Sequence, residues 1–154
     1  MTNELIEVTQ TLHIRNEDVP WASNAPGFEF RILQAHLEDS ILVQEMRAQP
    51  GVESYLHRHV TPLLAWTTEG AWGHDRQYQY VPGTYVYETP GVVHRFLNGP
   101  GVTVVLFLQG GGSGEIEILD DAGEQVAVIT LAERVESYFA ACETAGLPRP
   151  NILN

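Results

Sequence analysis

The sequence predicts an all-β domain, a barrel or a sandwich, carrying one C-terminal α-helix. Turns rich in Gly and Pro recur at short spacing from Gln49-Pro50-Gly51 to Asn98-Gly-Pro-Gly101. The segments between them have strand length and β-type patterns, many short strands being the mark of a sandwich or barrel. Only after Thr130 does the apolar period become helical. At 154 residues the chain has the length of one domain with one core. The expected division of this single domain is a lead-in over 1–27, β-strands over 28–130 and the helix over 131–146.

In chain order, Ile6–Leu12 is strand-like, and turn chemistry follows at Pro20, Asn24 and Pro26-Gly27. Such a lead-in covers a sheet edge or a neighbouring subunit. Phe28–Leu33 and Ser40–Ala48 are extended runs, the second broken by Gln49-Pro50-Gly51. Pro62–Thr68 is a strand ended by Glu69-Gly70, and Ala71–Val81 reads as a polar, aromatic-rich hairpin arm closed by Pro82-Gly83. Thr84–Glu88 and Val92–Leu97 are extended on either side of Thr89-Pro-Gly91. Val102–Leu108 is continuously apolar, the pattern of a strand covered on both faces. Gln109–Gly114 is glycine-rich, but no helix start follows it, so it is not a phosphate cradle. Glu115–Leu119 and Gln125–Thr130 read as a hairpin about Asp120–Gly123. Val135, Tyr138, Phe139 and Cys142 then recur at helical spacing over Leu131–Ala145, with Gly146 and Pro148 as stop signals.

Composition excludes several kinds of chemistry. The formal charge is −12, from 20 acidic residues against 8 basic ones, and every basic residue is arginine. Without lysine there is no Schiff-base mechanism and no Gly-x-x-x-x-Gly-Lys phosphate loop. The acidic balance argues against nucleic acid, whose phosphates need a basic face. Cys142 alone permits neither an internal disulfide nor a Cys-rich zinc site. The first residues lack the basic start and apolar run of a signal peptide, and no apolar segment approaches the ~20 residues of a membrane span. A cytoplasmic location and no membrane partner are the expectation.

The chemistry concentrates in two segments. His57 and His59 lie two residues apart in an extended stretch, so their imidazoles share one face and can hold one metal ion. They need a third ligand, and His94 in Pro90-Gly-Val-Val-His94 offers it.

These segments resemble the two cupin motifs. Gly51, five residues, His57-x-His59 and Gly70 fit Gly-x5-His-x-His-x3-4-Glu-x6-Gly. Gly83, Pro90, Gly91, His94 and Asn98 fit Gly-x5-Pro-x-Gly-x2-His-x3-Asn, with the proline moved one place. The resemblance implies a double-stranded β-helix, a jelly-roll-like barrel that brings both motif strands to one mouth. Where the family's metal-binding glutamate stands, this chain has Leu63 and Leu64, which points to cupins whose metal is held by three histidines. The length, the hairpin and the C-terminal tail look like the 2,4'-dihydroxyacetophenone dioxygenase group, and the acetylacetone-cleaving dioxygenases are similar in plan.

That resemblance implies a non-haem Fe(II) enzyme that cleaves a C–C bond of an α-hydroxyketone or β-diketone with O2. Three neutral ligands leave the ion's full charge and open positions for two guests, a chelating ketone and O2. Zn(II) or another divalent ion fits the same donors. A non-catalytic zinc-binding sensory cupin and a metal-dependent isomerase or hydrolase of a small keto or sugar substrate are the alternatives. The expected partners are the ketone, O2 and further copies of the chain, as a dimer or tetramer.

Around the triad, parity puts Tyr55 on the face of His57, and Phe96 and Asn98 on that of His94, with Tyr55 and Phe96 as residues lining a pocket for an aromatic or short apolar substrate or as plain core aromatics. Glu88 is a fourth ligand, a base for the substrate's acidic proton, or a surface carboxylate. His74 and Arg76 either reach the mouth as part of a substrate pocket or stay solvated on the hairpin arm. For an anionic substrate the arginines available at the mouth are Arg76, Arg58 and Arg31, although Arg58, between the two histidines, points away from them.

Overall fold

The computed structural model describes residues 13–152, so the strand expected over Ile6–Leu12 lies outside the described residues. After a 3-10 turn at Asn16–Asp18 come β1 (Ala22–Ala25), β2 (Phe28–His36), β3 (Ile41–Ala48), β4 (His57–His59), β5 (Leu63–Glu69) and β6 (Trp72–Gly73). There follow β7 (Tyr85–Glu88), β8 (Val93–His94), β9 (Leu97–Asn98), β10 (Thr103–Gln109), β11 (Ile116–Leu119), β12 (Gln125–Ile129) and α1 (Leu131–Thr144). A six-stranded sheet has the order β1-β2-β3-β10-β5-β7, a four-stranded one β12-β11-β4-β8, and β6 pairs with β9.

Three expectations need correction. The strands begin before residue 28, because Ala22–Ala25 in the lead-in pairs antiparallel with β2. Val92–Leu97 is not one strand: β8 faces β4, whereas β9 faces β6. The chain changes sheets at Arg95-Phe96, where Ser54 accepts from the Phe96 amide at 2.8 Å through its hydroxyl and donates its own amide to the Phe96 carbonyl at 2.9 Å. Finally, β10 is covered on one face only. Thr103, Val105, Phe107 and Gln109 are buried, but Leu108 is 42 % exposed.

That outer face is apolar across three strands. Leu106, Trp66 and Tyr85 form one cross-strand row, and Leu108, Leu64 and Tyr87 the next. Trp66, Tyr85 and Tyr87 are exposed, and no side chain in the two rows is charged.

The inner face supplies a core of Phe28, Met46, Ala48, Leu63, Ala65, Trp72, Phe96, Val105 and Phe107. A second cluster forms where α1 packs on β1 and β2, through Leu131, Val135, Tyr138, Phe139 and Cys142 against Ala22, Ile32, Ala35 and Leu42. The helix begins with a reciprocal capping box between Thr130 and Glu133. It ends at Gly146, whose φ of +70° lets Leu147 donate back to the Cys142 carbonyl at 2.8 Å. The Tyr138 hydroxyl donates to the Pro20 carbonyl at 2.6 Å, tying the lead-in to the helix. No helix among the described residues is long and apolar enough to cross a membrane.

Gly70 shows why the motif glycine is a glycine. Its φ is +78°, and a Cβ there would overlap the Val102 carbonyl and Thr103 on β10. Both the backbone conformation and the close approach exclude a side chain. Asn98, 2 % exposed, is a clamp. Its amide NH2 faces the carbonyls of Ala48, Gln49 and Gly101 at 3.2, 2.7 and 3.0 Å.

Candidate metal centre

Strand β4 sits between β11 and β8, with His57 directly opposite His94 and His59 opposite Ile116. This register brings the three histidines together. The ring centroids are 5.0 Å apart for His57 and His59, 4.6 Å for His57 and His94, and 5.7 Å for His59 and His94. The Nε2 atoms of His57 and His94 are 3.0 Å apart. Two nitrogens each at a bond length of about 2.1 Å and at right angles about one ion are about 3 Å apart, so this pair matches an octahedral edge. One ligand atom from each histidine lies within 4.8 Å of the others.

The donors are in the protonation state a cation needs. Burial pushes His59 down to about 3 and His94 down to about 2, with the neighbouring histidines adding to both shifts. His57 is lowered too, by burial, partly offset by its Nδ1–H donating to the Tyr55 carbonyl at 2.8 Å. That bond fixes the tautomer and turns Nε2 toward His94. His59 and His94 each keep a buried Nδ1 without a hydrogen-bond partner among the described residues. Three neutral imidazoles, two of them with a buried, unpaired Nδ1, fit a divalent ion.

Leu63, 3 % exposed, occupies the usual glutamate position, and its cross-strand partner is Glu88. The carboxylate is therefore one strand away, on β7. Glu88 is 4 % exposed, and its Oε1 accepts from His74 Nε2 at 2.9 Å and lies 3.5 Å from His94 Nδ1. It approaches His94 from the side opposite the facing Nε2 atoms and does not join the His57–His59–His94 group, so it is not a fourth ligand in this geometry. With His74 and His94 it forms a second donor group.

His74 is not a solvated arm residue. Its ring stacks on that of His94 at 4.1 Å and 23°, and it rests edge-on against Trp72 at 5.7 Å. Trp72 is 1 % exposed, stacks on Phe96 at 4.8 Å and donates from Nε1 to Thr67 Oγ1 at 2.8 Å. The Trp72 floor was not anticipated. Phe96, 5 % exposed, belongs to the core beneath His74 rather than to an open pocket.

Two expected pocket residues are elsewhere. Tyr55 is 74 % exposed, because β4 starts only at His57 and strand parity does not extend back to residue 55. Arg76 is exposed and pairs with Glu53 at 2.6 Å. The other arginines considered for the mouth are also engaged, Arg31 with Glu45 at 2.8 Å and Arg58 with Glu117.

One arginine that the sequence reading passed over, Arg134, stands near the triad instead. Its charge opposes protonation of His57 and His59, and loss of water pushes its own guanidinium down to about 10. It donates from Nη1 to Gln109 Oε1 at 2.7 Å. A signal was available. Leu131, Arg134, Val135, Tyr138, Phe139 and Cys142 recur at three- and four-residue steps, which puts this arginine on the buried stripe of the helix.

Known structures repeat the architecture. An RmlC-like cupin protein from Ralstonia eutropha JMP134 aligns with 97 % of this chain and 98 % of its own, at 20 % identity and a TM-score of 0.82. An acetylacetone dioxygenase from Acinetobacter johnsonii aligns over 86 % of this chain and 93 % of its own, at 18 % identity and a TM-score of 0.70. The polyketide cyclase RemF from Streptomyces resistomycificus follows at 17 % identity, 86 % and 99 % coverage and a TM-score of 0.55. No curated protein matches the chain. At these identities the likeness shows the fold. The profile of the ChrR cupin-like domain matches residues 9–113, and with the sheets and histidine placement above this makes the chain a member of the ChrR cupin-like family.

Proposed function

We propose that the protein is an Fe(II)-dependent dioxygenase that cleaves a C–C bond of an α-hydroxyketone or β-diketone with O2. The observation that carries this reading is a three-histidine site with a leucine, Leu63, in place of the fourth, anionic ligand. When bound, Fe(II) supplies the positive charge that favours a ketone's enolate and the redox chemistry toward O2. An acetylacetone dioxygenase is among the proteins that share this fold.

The chain's own residues account for the rest. The three imidazoles stay neutral across physiological pH and add no charge to cancel that of the ion. Trp72 and Phe96 close the floor with apolar rings and exclude water below His74. Glu88 Oε1 is committed to His74, but its Oε2 is buried without a partner among the described residues. That oxygen is the acceptor for the substrate's acidic proton.

A zinc-holding domain without catalysis would complete its tetrahedron with protein ligands. Glu88 does not join the triad, which favours a site left open for guests. The protein works as a homo-oligomer through the uncharged rows of Trp66, Tyr85 and Tyr87. In a chain of net charge −12, that is a face two copies can share without repulsion.

Metal analysis of protein purified without added metal, followed by O2 uptake with acetylacetone and 2,4'-dihydroxyacetophenone, tests the activity. Iron in the isolated protein and uptake with either compound are expected. Zinc alone, with no uptake after iron loading, would remove the proposal.

A further inference from the structure

The acidic residues of this chain neutralise nearly every arginine. Arg15, Arg31, Arg47, Arg58, Arg76 and Arg95 each pair with a carboxylate, and Arg149 lies over the Phe139 ring at 4.0 Å. Arg134 has no carboxylate partner among the described residues. Its one side-chain hydrogen bond among the described residues is to the neutral Oε1 of Gln109. A guanidinium has five N–H donors in a fork shaped for a carboxylate, so most of its capacity is unused.

The surroundings hold this group in place. Gln109 is 2 % exposed and donates its own NH2 to the Gly114 carbonyl at 3.3 Å, which leaves Oε1 turned toward Arg134. Arg134 lies in the first turn of a capped helix, one residue after the Glu133 of its capping box. Gln109 faces Leu63 across β10 and β5, and Leu63 faces Glu88 across β5 and β7. Strands lie about 4.8 Å apart, so the Gln109 and Glu88 backbones are about 10 Å apart on one inner level. Arg134 is half-buried, and loss of water lowers its guanidinium.

We infer that Arg134 is the receptor for a carboxylate on the substrate, held beside the histidine triad by Gln109. The ligand class is therefore a small keto acid, whose ketone end faces the triad and whose carboxylate end meets the guanidinium. This deepens the proposed function and rests on it for the ketone end only. A neutral diketone leaves Arg134 unpaired, so the site prefers the anion.

Calorimetric titration with acetoacetate and with acetylacetone, on zinc-loaded and on metal-free protein, tests the assignment. Zinc prevents turnover. In both forms Arg134→Gln is expected to weaken acetoacetate binding 10- to 100-fold and to leave acetylacetone within two-fold. Gln109→Glu gives Arg134 an internal partner and should produce the same selective loss with the arginine still present. Arg134→Lys should retain part of the preference. Melting curves identify any variant that fails to fold, and Gln109→Glu and Arg134→Lys then carry the test. Unchanged acetoacetate affinity in the folded variants, or an equal loss for both ligands, overturns the assignment. If zinc adds nothing to the affinity of either ligand while the Arg134-dependent difference persists without metal, ketone chelation fails and the carboxylate receptor stands.

Discussion

Acidifying the metal-free protein should destabilise it through two buried histidines. His59 and His94 are each 8 % exposed and are pushed by burial to about 3 and about 2. In the unfolded chain both return to about 6.5. Between those values the unfolded state binds protons that the folded state refuses, so stability falls as pH falls. It is fully present above 6.5 and is lost progressively below. Between pH 6.5 and 5 each histidine removes about 2 kcal/mol, and the pair about 4 kcal/mol, a large share of the ~5–15 kcal/mol of a typical domain. His57 shifts in the same direction. The assay is urea unfolding after chelation, at pH 7 and pH 5, for the natural protein and His59→Gln/His94→Gln. The carboxylate background is common to both, so the difference between the two pH profiles isolates the histidines. Parallel profiles, or a steeper fall in the variant, would refute the reasoning.

Other expectations follow from single contacts. Glu88→Gln and His74→Leu should weaken cobalt binding by about 10-fold or more and alter its visible spectrum, because Glu88 Oε1 lies beside His94 Nδ1 and His74 holds that carboxylate. His74→Gln, which keeps an N–H toward Glu88, should recover part of the affinity. Gly70→Ala should cost more than about 2 kcal/mol by denaturant unfolding, since it adds a clash with β10 to the strain of positive φ. Gly51→Ala, with φ of +72° but open space around it, should cost only about 1 kcal/mol. Thr130→Ala removes the capping box of α1 and should lower stability by about 1 kcal/mol, measured the same way.

The strands and the helix were legible because turn residues and apolar periods are local signals. Gly83 and Gly91 mark turns that do occur, with φ of +84° and +89°. The triad was legible because His57 and His59 sit within one strand, where parity holds, and because His94 lies in the strand opposite. Parity failed at Tyr55, two residues outside the strand, and the break between β8 and β9 could not be read from a run with no turn residue in it. His74 looked solvated because its neighbours Asp75, Arg76 and Gln77 are polar. Only the three-dimensional path of the arm stacks it on His94. Arg134 shows the opposite case. The periodicity placed it on the buried stripe, but a stripe says nothing about what a charge will meet there.

The paired register of β4 has a thermodynamic consequence. Because β8 and β11 hold both edges of this three-residue strand, the imidazoles are gathered by the main chain before any ion arrives. Capture of a cation then requires little further ordering, and its heat-capacity change should be small beside that of a domain which folds around its metal.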